Sequence, residues 1–324
     1  MNTTPLTFKT NQSQSCTIIG GKESKEGAAI NACAVLLNSA SNHLRENHIE
    51  NLLKNKFSSV ISIEHGASNY NVQKLSFRFP DVKFIIIHDT VSVGEAINIA
   101  VAECDEPWIL VLRDTLKINS QLIIPKAFER ITADSALFCA VPRLLDNAQR
   151  VLPLQFSPMV KNRRFAVDIA GTCFDTMKTL YPFDNTGLYN KTKFIALGGY
   201  DSSITSPYWQ NLDLSVRAWL WGEEIRLSHL MQFSYESEIP ENDQTANTDS
   251  LRFFLKNLSP VVRSDYGYIP INVFFGFLRR SRLGFAAAQK QFVDARAWVK
   301  TNKYRFRMDI EKLILSWQEN DTEV

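Results

Sequence analysis

Cysteine is scarce in this 324-residue chain: Cys16, Cys33, Cys104, Cys139 and Cys173 are odd in number and none share a CxxC spacing. That excludes a disulfide framework or a zinc ribbon and points to a reducing compartment. Neither sign of charge dominates, because 36 Lys and Arg stand against 34 Asp and Glu. The whole molecule therefore offers no field for a polyanion, and nucleic acid is not an expected partner. Long apolar runs are missing too. The best candidate, 271–278, stops at Arg279 and Arg280, well short of the ~20 residues that cross a bilayer. Residues 1–14 are polar, without the basic-then-apolar order of a secretion signal. They are expected to be flexible, and the cytoplasm is the expected compartment. No Pro- or Gly-rich linker and no internal repeat divides the chain.

The 45% of hydrophobic and 22% of charged residues suffice for one large α/β domain with an appendage. Short apolar runs alternate with longer amphipathic ones: 16–19, a helical stretch to 56, 60–63, a helical stretch to 78, then 82–87, 93–102 and 108–112. Such alternation predicts βαβ units and a mostly parallel sheet flanked by helices. The runs 82–87 and 108–112 are apolar at nearly every position, as strands covered on both faces should be. A further strand is expected at 136–142. Ligands of open α/β sheets bind beyond the carboxyl ends of the strands, which directs attention to 20–21, 64–69, 88–89 and 113–115. The pair Gly20 and Gly21 is followed by Lys22, Glu23 and Ser24, which is not the GxGxxG of a dinucleotide-binding oxidoreductase.

Three segments carry candidate chemistry. Residues 61–68 read ISIEHGAS at a strand end; 93–102 read VGEAINIAVA and precede the strand 108–115, WILVLRDT; and 197–222 read LGGYDSSITSPYWQNLDLSVRAWLWG. In the last, Gly198 and Gly199 permit a tight turn, Asn211 and Asp213 fall near a helix start, and Arg217 is one turn beyond Asp213 and able to pair with it. Taken together, over about 15–235, these segments resemble family 2 glycosyltransferases. The resemblance implies a GT-A, Rossmann-like domain over 15–260 and transfer of a sugar from a nucleotide-diphosphate donor to an acceptor hydroxyl. It further implies inversion at the sugar carbon, in cell-surface glycan assembly. It places Glu64, Gly66, Ser68, Gly94, Asn98, Arg113 and Asp114 on the donor. Tyr208, Trp209, Asn211 and Arg217 fall on the acceptor, a glycan or a lipid-linked sugar. Asp114 matches the last acid of the motif that holds a divalent metal, Mg or Mn, and Asp213 is the expected catalytic base.

The departures bear on mechanism. A divalent cation needs several hard oxygen ligands, yet Leu112 and Arg113 precede Asp114 where another acid is usual. An amide at Asn211 cannot take a proton from an acceptor hydroxyl. Where the resembled family has a histidine after the next strand, this chain has Tyr235, while His229 belongs to the strand itself; Arg113 could neutralise diphosphate in place of a metal. A second reading is therefore a catalytically silent relative that binds a nucleotide sugar or glycan, or scaffolds an active partner. His65 and His88 read as ordinary satisfied histidines.

From 261 to 324 the texture changes to a basic helical region. Nine Lys or Arg face one acid, Asp294, over 279–307. Phe285, Ala288, Phe292, Ala295 and Val299 recur at helical spacing. A docked basic helix is expected, with an anionic membrane surface as a partner and a peripheral location at the inner face of the membrane.

Overall fold

The computed structural model describes residues 15–21, 28–38, 45–65, 72–118, 122–171 and 174–321; the segment 1–14, Gly66, Ser68 and Cys173 lie outside them. In chain order the elements are β1 (Cys16–Gly20), β2 (Ile30–Leu37), α1 (Arg45–Lys54), β3 (Phe57–His65), α2 (Val72–Arg78), β4 (Val82–Ile87), α3 (Val93–Ala102), β5 (Trp108–Arg113), β6 (Leu116–Lys117), α4 (Pro125–Thr132) and β7 (Leu137–Leu145). The hairpin β8 (Gln155–Lys161) and β9 (Arg164–Ala170) follows, then β10 (Gly187–Asn190), α5 (Lys191–Leu197), α6 (Pro207–Leu220) and β11 (Glu224–Tyr235). The C-terminal part holds α7 (Thr248–Phe253), β12 (Val261–Arg263), β13 (Tyr266–Tyr268), α8 (Val273–Ser281), α9 (Phe285–Thr301) and α10 (Ile310–Asp321).

The central sheet runs β1-β4-β3-β2-β5-β10-β7-β11-β6. Strands β2, β3, β4, β5, β7 and β11 point one way; β1, β10 and β6 run against their neighbours. This is the expected mostly parallel α/β sheet with helices on its faces. One expectation needs correction. The stretch up to 56 is helical only from Arg45, and before it lies β2, in the middle of the sheet between β3 and β5. Its sequence INACAVLL is buried at every position but Asn31, so it lacks the polar alternation that marks a half-exposed strand. Gly20 thus ends, and Gly21 follows, an antiparallel edge strand rather than the first strand of a βαβ unit. Both have positive φ and pack against the backbone of β4, where a Cβ on Gly20 would come within 2.4 Å of the Val82 carbonyl oxygen.

Helix α3 begins with a capping box in which Ser92 and Glu95 satisfy each other's backbone amides. Helix α6 lies against it through Gln210. The Gln210 Oε1 accepts from the Gly94 amide at 2.9 Å, while Nε2 donates to Ser92 Oγ at 2.8 Å and to the Asp201 carbonyl at 3.1 Å. Helix α9 buries Ala288, Phe292, Ala295 and Val299 as its spacing predicts, while Phe285 stays exposed. The C-terminal helices close on α6 through stacked Trp221 and Trp298, and through Trp219 set edge-on against Trp317. No helix among the described residues is long and apolar enough to cross a membrane.

Candidate functional site

Two neighbouring cavities open at the carboxyl ends of the parallel strands. The first, about 160 Å³, is lined by Leu37 and Asn38 after β2, Ile63 and His65 of β3, Arg113 at the end of β5, and Val91 to Val93 with Ala96 at the start of α3. Asn38 is 4% exposed. Its Nδ2 donates to Ser62 Oγ (2.8 Å), the Ile63 carbonyl (3.0 Å) and Glu64 Oε1 (3.1 Å). A carbonyl and a carboxylate can only accept, so the orientation of the amide is fixed. Its buried Oδ1 is left with no hydrogen-bond partner, in a residue that lines the cavity. Sequence reasoning missed Asn38 because it missed β2.

The second cavity, about 130 Å³, is lined by Phe183, Asp184, Asn185, Ser206, Pro207, Tyr208, Asn211 and the segment 240–243. Asn211 donates to the Pro182 carbonyl at 2.6 Å, and its buried Oδ1 has no partner. Tyr208 is 7% exposed, edge-on to Tyr181, and burial pushes its hydroxyl up to about 12. Trp209 is half-buried and spends its indole N–H on the Thr245 carbonyl. It is not among the residues that line this cavity.

Asp184 ties the two cavities together. Its Oδ2 sits 3.5 Å from Arg113 Nε, an ion pair without a formed hydrogen bond. Burial raises the Asp184 pKa above the ordinary carboxylate value, opposed by the Arg113 guanidinium and the nearby Tyr235 hydroxyl, while the Asp114 charge adds to the rise. Asp184 and Asn185 both adopt left-handed backbone, φ 50° and 59°, a conformation costing a non-glycine residue of order 1 kcal/mol or more. Nothing in the sequence around Asp184 marked it; only the fold brings β10's approach loop beside the end of β5.

The remaining expected residues have structural partners. Glu64 is fully buried, with Arg45 Nη1 at 3.1 Å and Ser62 Oγ donating at 2.8 Å. Burial raises its pKa and Arg45 opposes the rise. Its carboxylate meets the first cavity only through Asn38. Asn98 clamps the Tyr200 backbone with both amide atoms, at 2.8 and 2.9 Å. Gly94 is pressed against Gln210 and Tyr200, where a Cβ would come within 2.5 and 2.6 Å. Asp213 lines neither cavity and has no exposed surface. It accepts from Arg217 Nη1 (2.7 Å), Lys256 Nζ (3.0 Å) and Asn257 Nδ2 (2.7 Å). A carboxylate held in this way has no path for an acceptor proton. Arg217, 2% exposed, is spent on Asp213 and the Gly199 carbonyl.

Asp114 is 2% exposed, and its amide donates to the Leu37 carbonyl. The donor set near it suits a divalent cation poorly: the facing carboxylate, Asp184, already has a guanidinium beside it, and Asp114 is sealed off. Among the described residues, the cluster of three acidic, thiol or imidazole groups close enough to share an ion is Cys33, Cys104 and Glu106. The hydrogen bond with Cys33, followed by burial, pushes the Cys104 thiol far up, so this cluster is a poor ligand set.

No family model matches the sequence, and no curated protein matches it either. Solved structures do. GalNAc-T7 crystallised with UDP, GalNAc and Mn2+ superposes with a TM-score of 0.60 at 10% identity, over 92% of this chain and 58% of the transferase. This chain thus spans somewhat more than half the length of that protein. TarS of S. aureus in complex with UDP-GlcNAc gives a TM-score of 0.45 at 11% identity, over 84% of this chain and 74% of its own. The mannosyltransferase PcManGT of Pyrobaculum calidifontis, with GDP-Man and Mn2+, gives 0.44 at 9%, over 90% and 75%. With its mostly parallel central sheet and flanking helices, and with the first superposition, the fold is the mixed α/β fold of GT-A glycosyltransferases.

Proposed function

We propose that the protein transfers a sugar from a nucleotide-diphosphate donor, held in the first cavity, to a hydroxyl of an acceptor in the second. The observation that supports this reading is the Arg113–Asp184 pair, a cation that lines the first cavity and a carboxylate that lines the second, 3.5 Å apart. The Asn38 Oδ1 supplies an acceptor for an N–H of the base. Arg113 balances diphosphate charge, the role a divalent metal would fill in a site with more carboxylates. When Arg113 turns to the diphosphate, Asp184 loses its partner and is left to accept the proton of the attacking hydroxyl. In this scheme Asp213 holds α6 in place, and Tyr208 and Asn211 bind the acceptor, a glycan or lipid-linked sugar.

The rival reading, a silent relative that binds the same ligands, is favoured by the amide at Asn211 and by the full enclosure of Asp213. Titration calorimetry with UDP and GDP, with and without manganese, tests the shared part of both. Binding that persists without manganese and is lost in Arg113→Ala supports the donor site as drawn. Failure of both nucleotides to bind overturns it. Donor hydrolysis or transfer by the protein that binds then separates enzyme from silent relative.

A further inference from the structure

The corner between α8 and α9 presents aromatic rings to solvent. Phe275 is 70% exposed and Phe285 is 62% exposed. Both rest on one ring, Phe274, with centroids 5.8 and 5.7 Å away. Phe274 in turn meets the buried Phe292 at 5.3 Å, so the outward rings are braced against the core rather than loose. Ile271, 65% exposed, stands four residues before Phe275. At the turn, Arg282 takes left-handed backbone with φ 55°, and Arg279, Arg280 and Arg282 are all exposed. The Arg280 guanidinium lies 4.9 Å over the Phe254 ring, which fixes one cation at the edge of the patch.

The apolar stripe of α9 does not account for this patch, because Ala288, Phe292, Ala295 and Val299 are spent against the core. The expectation of an interfacial helix over 279–307 therefore moves to the corner at 271–285, which carries Arg279, Arg280 and Arg282. A protein partner would need a surface shaped to these rings and acids to meet the arginines. A bilayer needs only rings that reach the acyl boundary and cations level with its phosphates. The three exposed arginines at the corner, Arg279, Arg280 and Arg282, with no acid between 271 and 285, favour a negatively charged surface.

We infer that the α8–α9 corner seats this protein on an anionic lipid bilayer, with Ile271, Phe275 and Phe285 entering the interface and Arg279 and Arg282 meeting headgroup phosphates. The contact is independent of what the cavities bind.

Co-sedimentation of the full chain with vesicles of phosphatidylcholine, alone or mixed with phosphatidylglycerol, tests it. The protein should pellet with the mixed vesicles and leave them as salt is raised. Phe275→Ser with Phe285→Ser should weaken binding by about tenfold or more. Arg279→Gln with Arg282→Gln should weaken it roughly fivefold for each charge removed. These side chains are exposed, and an unchanged thermal melt confirms that each variant is folded. Equal binding to neutral vesicles, no binding to either, or unchanged binding by the folded Phe variant overturns the inference. So does a dimer of the wild-type chain in buffer that the Phe substitutions abolish, since the rings would then be covered by a second copy.

Discussion

Arg113 and Asp184 face each other at 3.5 Å across the boundary of two cavities, one residue from the end of a parallel strand and the other from a loop of left-handed backbone. Arg113 lines the first cavity and Asp184 lines the second.

That relation makes the Asp184→Asn variant informative in two directions. An amide does not compete for the guanidinium, so UDP or GDP should bind several-fold more tightly than to the wild type. Loss of the proton acceptor should lower transfer by about 10²–10⁴-fold. Burial raises the Asp184 pKa, and a base works only when deprotonated. Wild-type kcat/KM should accordingly climb with pH through a limb lying above the ordinary carboxylate value of 3.8, and that limb should vanish in the variant. A variant with unchanged affinity and unchanged rate would remove Asp184 from the chemistry.

Asn38 offers a separate test of the donor cavity. Its amide nitrogen is committed to three acceptors and its Oδ1 to none, so Asn38→Ala should weaken nucleotide binding by about tenfold, the worth of one hydrogen bond to a buried group. The proposed contact of Asn38 with the base rather than the diphosphate predicts the same loss with and without manganese. Isothermal titration measures both. A loss that manganese repairs would place Asn38 near the phosphates instead.

Much of the fold could be read from the sequence because β4 and β5 are apolar along their length and α3 carries a clear cap. The central strand β2 could not, since Ala32, Cys33 and Ala34 have neither the β-branching nor the alternation that separates a buried strand from a helix. The site was readable only in part. Arg113 and Asn211 do reach the cavities, having been found from strand ends and a helix start. Asp184 and Asn38 were missed because their importance comes from packing partners 71 and 26 positions away, Arg113 and Glu64. Conversely, Gly94, Asn98 and Asp213 stand where motif order puts them, yet their atoms are committed to Gln210, Tyr200 and Lys256.

The approach of α3 to α6 at Gly94 leaves no room for a methyl group. Gly94→Ala would bring a Cβ to within 2.6 Å of Tyr200 Cβ, which sits on fixed backbone, and to within 2.5 Å of Gln210 Oε1. The substitution should cost about 1–3 kcal/mol by overpacking, measured by urea denaturation. The companion Gln210→Ala should relieve part of the clash, so the double variant should lose less than the sum of the two single losses.

The buried charges behind α6 contribute to the acid stability of the chain. Lys256, 2% exposed, donates to Asp201 at 2.7 Å and to Asp213 at 3.0 Å, and lies 4.7 Å over the Trp298 ring of α9. Lys256→Met leaves two buried carboxylates with fewer cations and should cost about 3–5 kcal/mol, with a change in tryptophan fluorescence as α9 loosens. Burial by itself would raise the Asp201 pKa, but the Lys256 and Arg252 cations outweigh it and hold the carboxylate below its usual range. A depressed folded pKa means that the unfolded chain binds the proton first. The stabilisation from Asp201 is thus complete above the unfolded value near 3.8, and it erodes as pH falls below that toward the folded value. In Asp201→Asn the neutral-pH melting temperature should drop and the portion of the acid-induced decline due to this residue should disappear. A parallel fall in both proteins between pH 4 and pH 2, about the range where carboxylates protonate, would show that Asp201 is not held by the network at all.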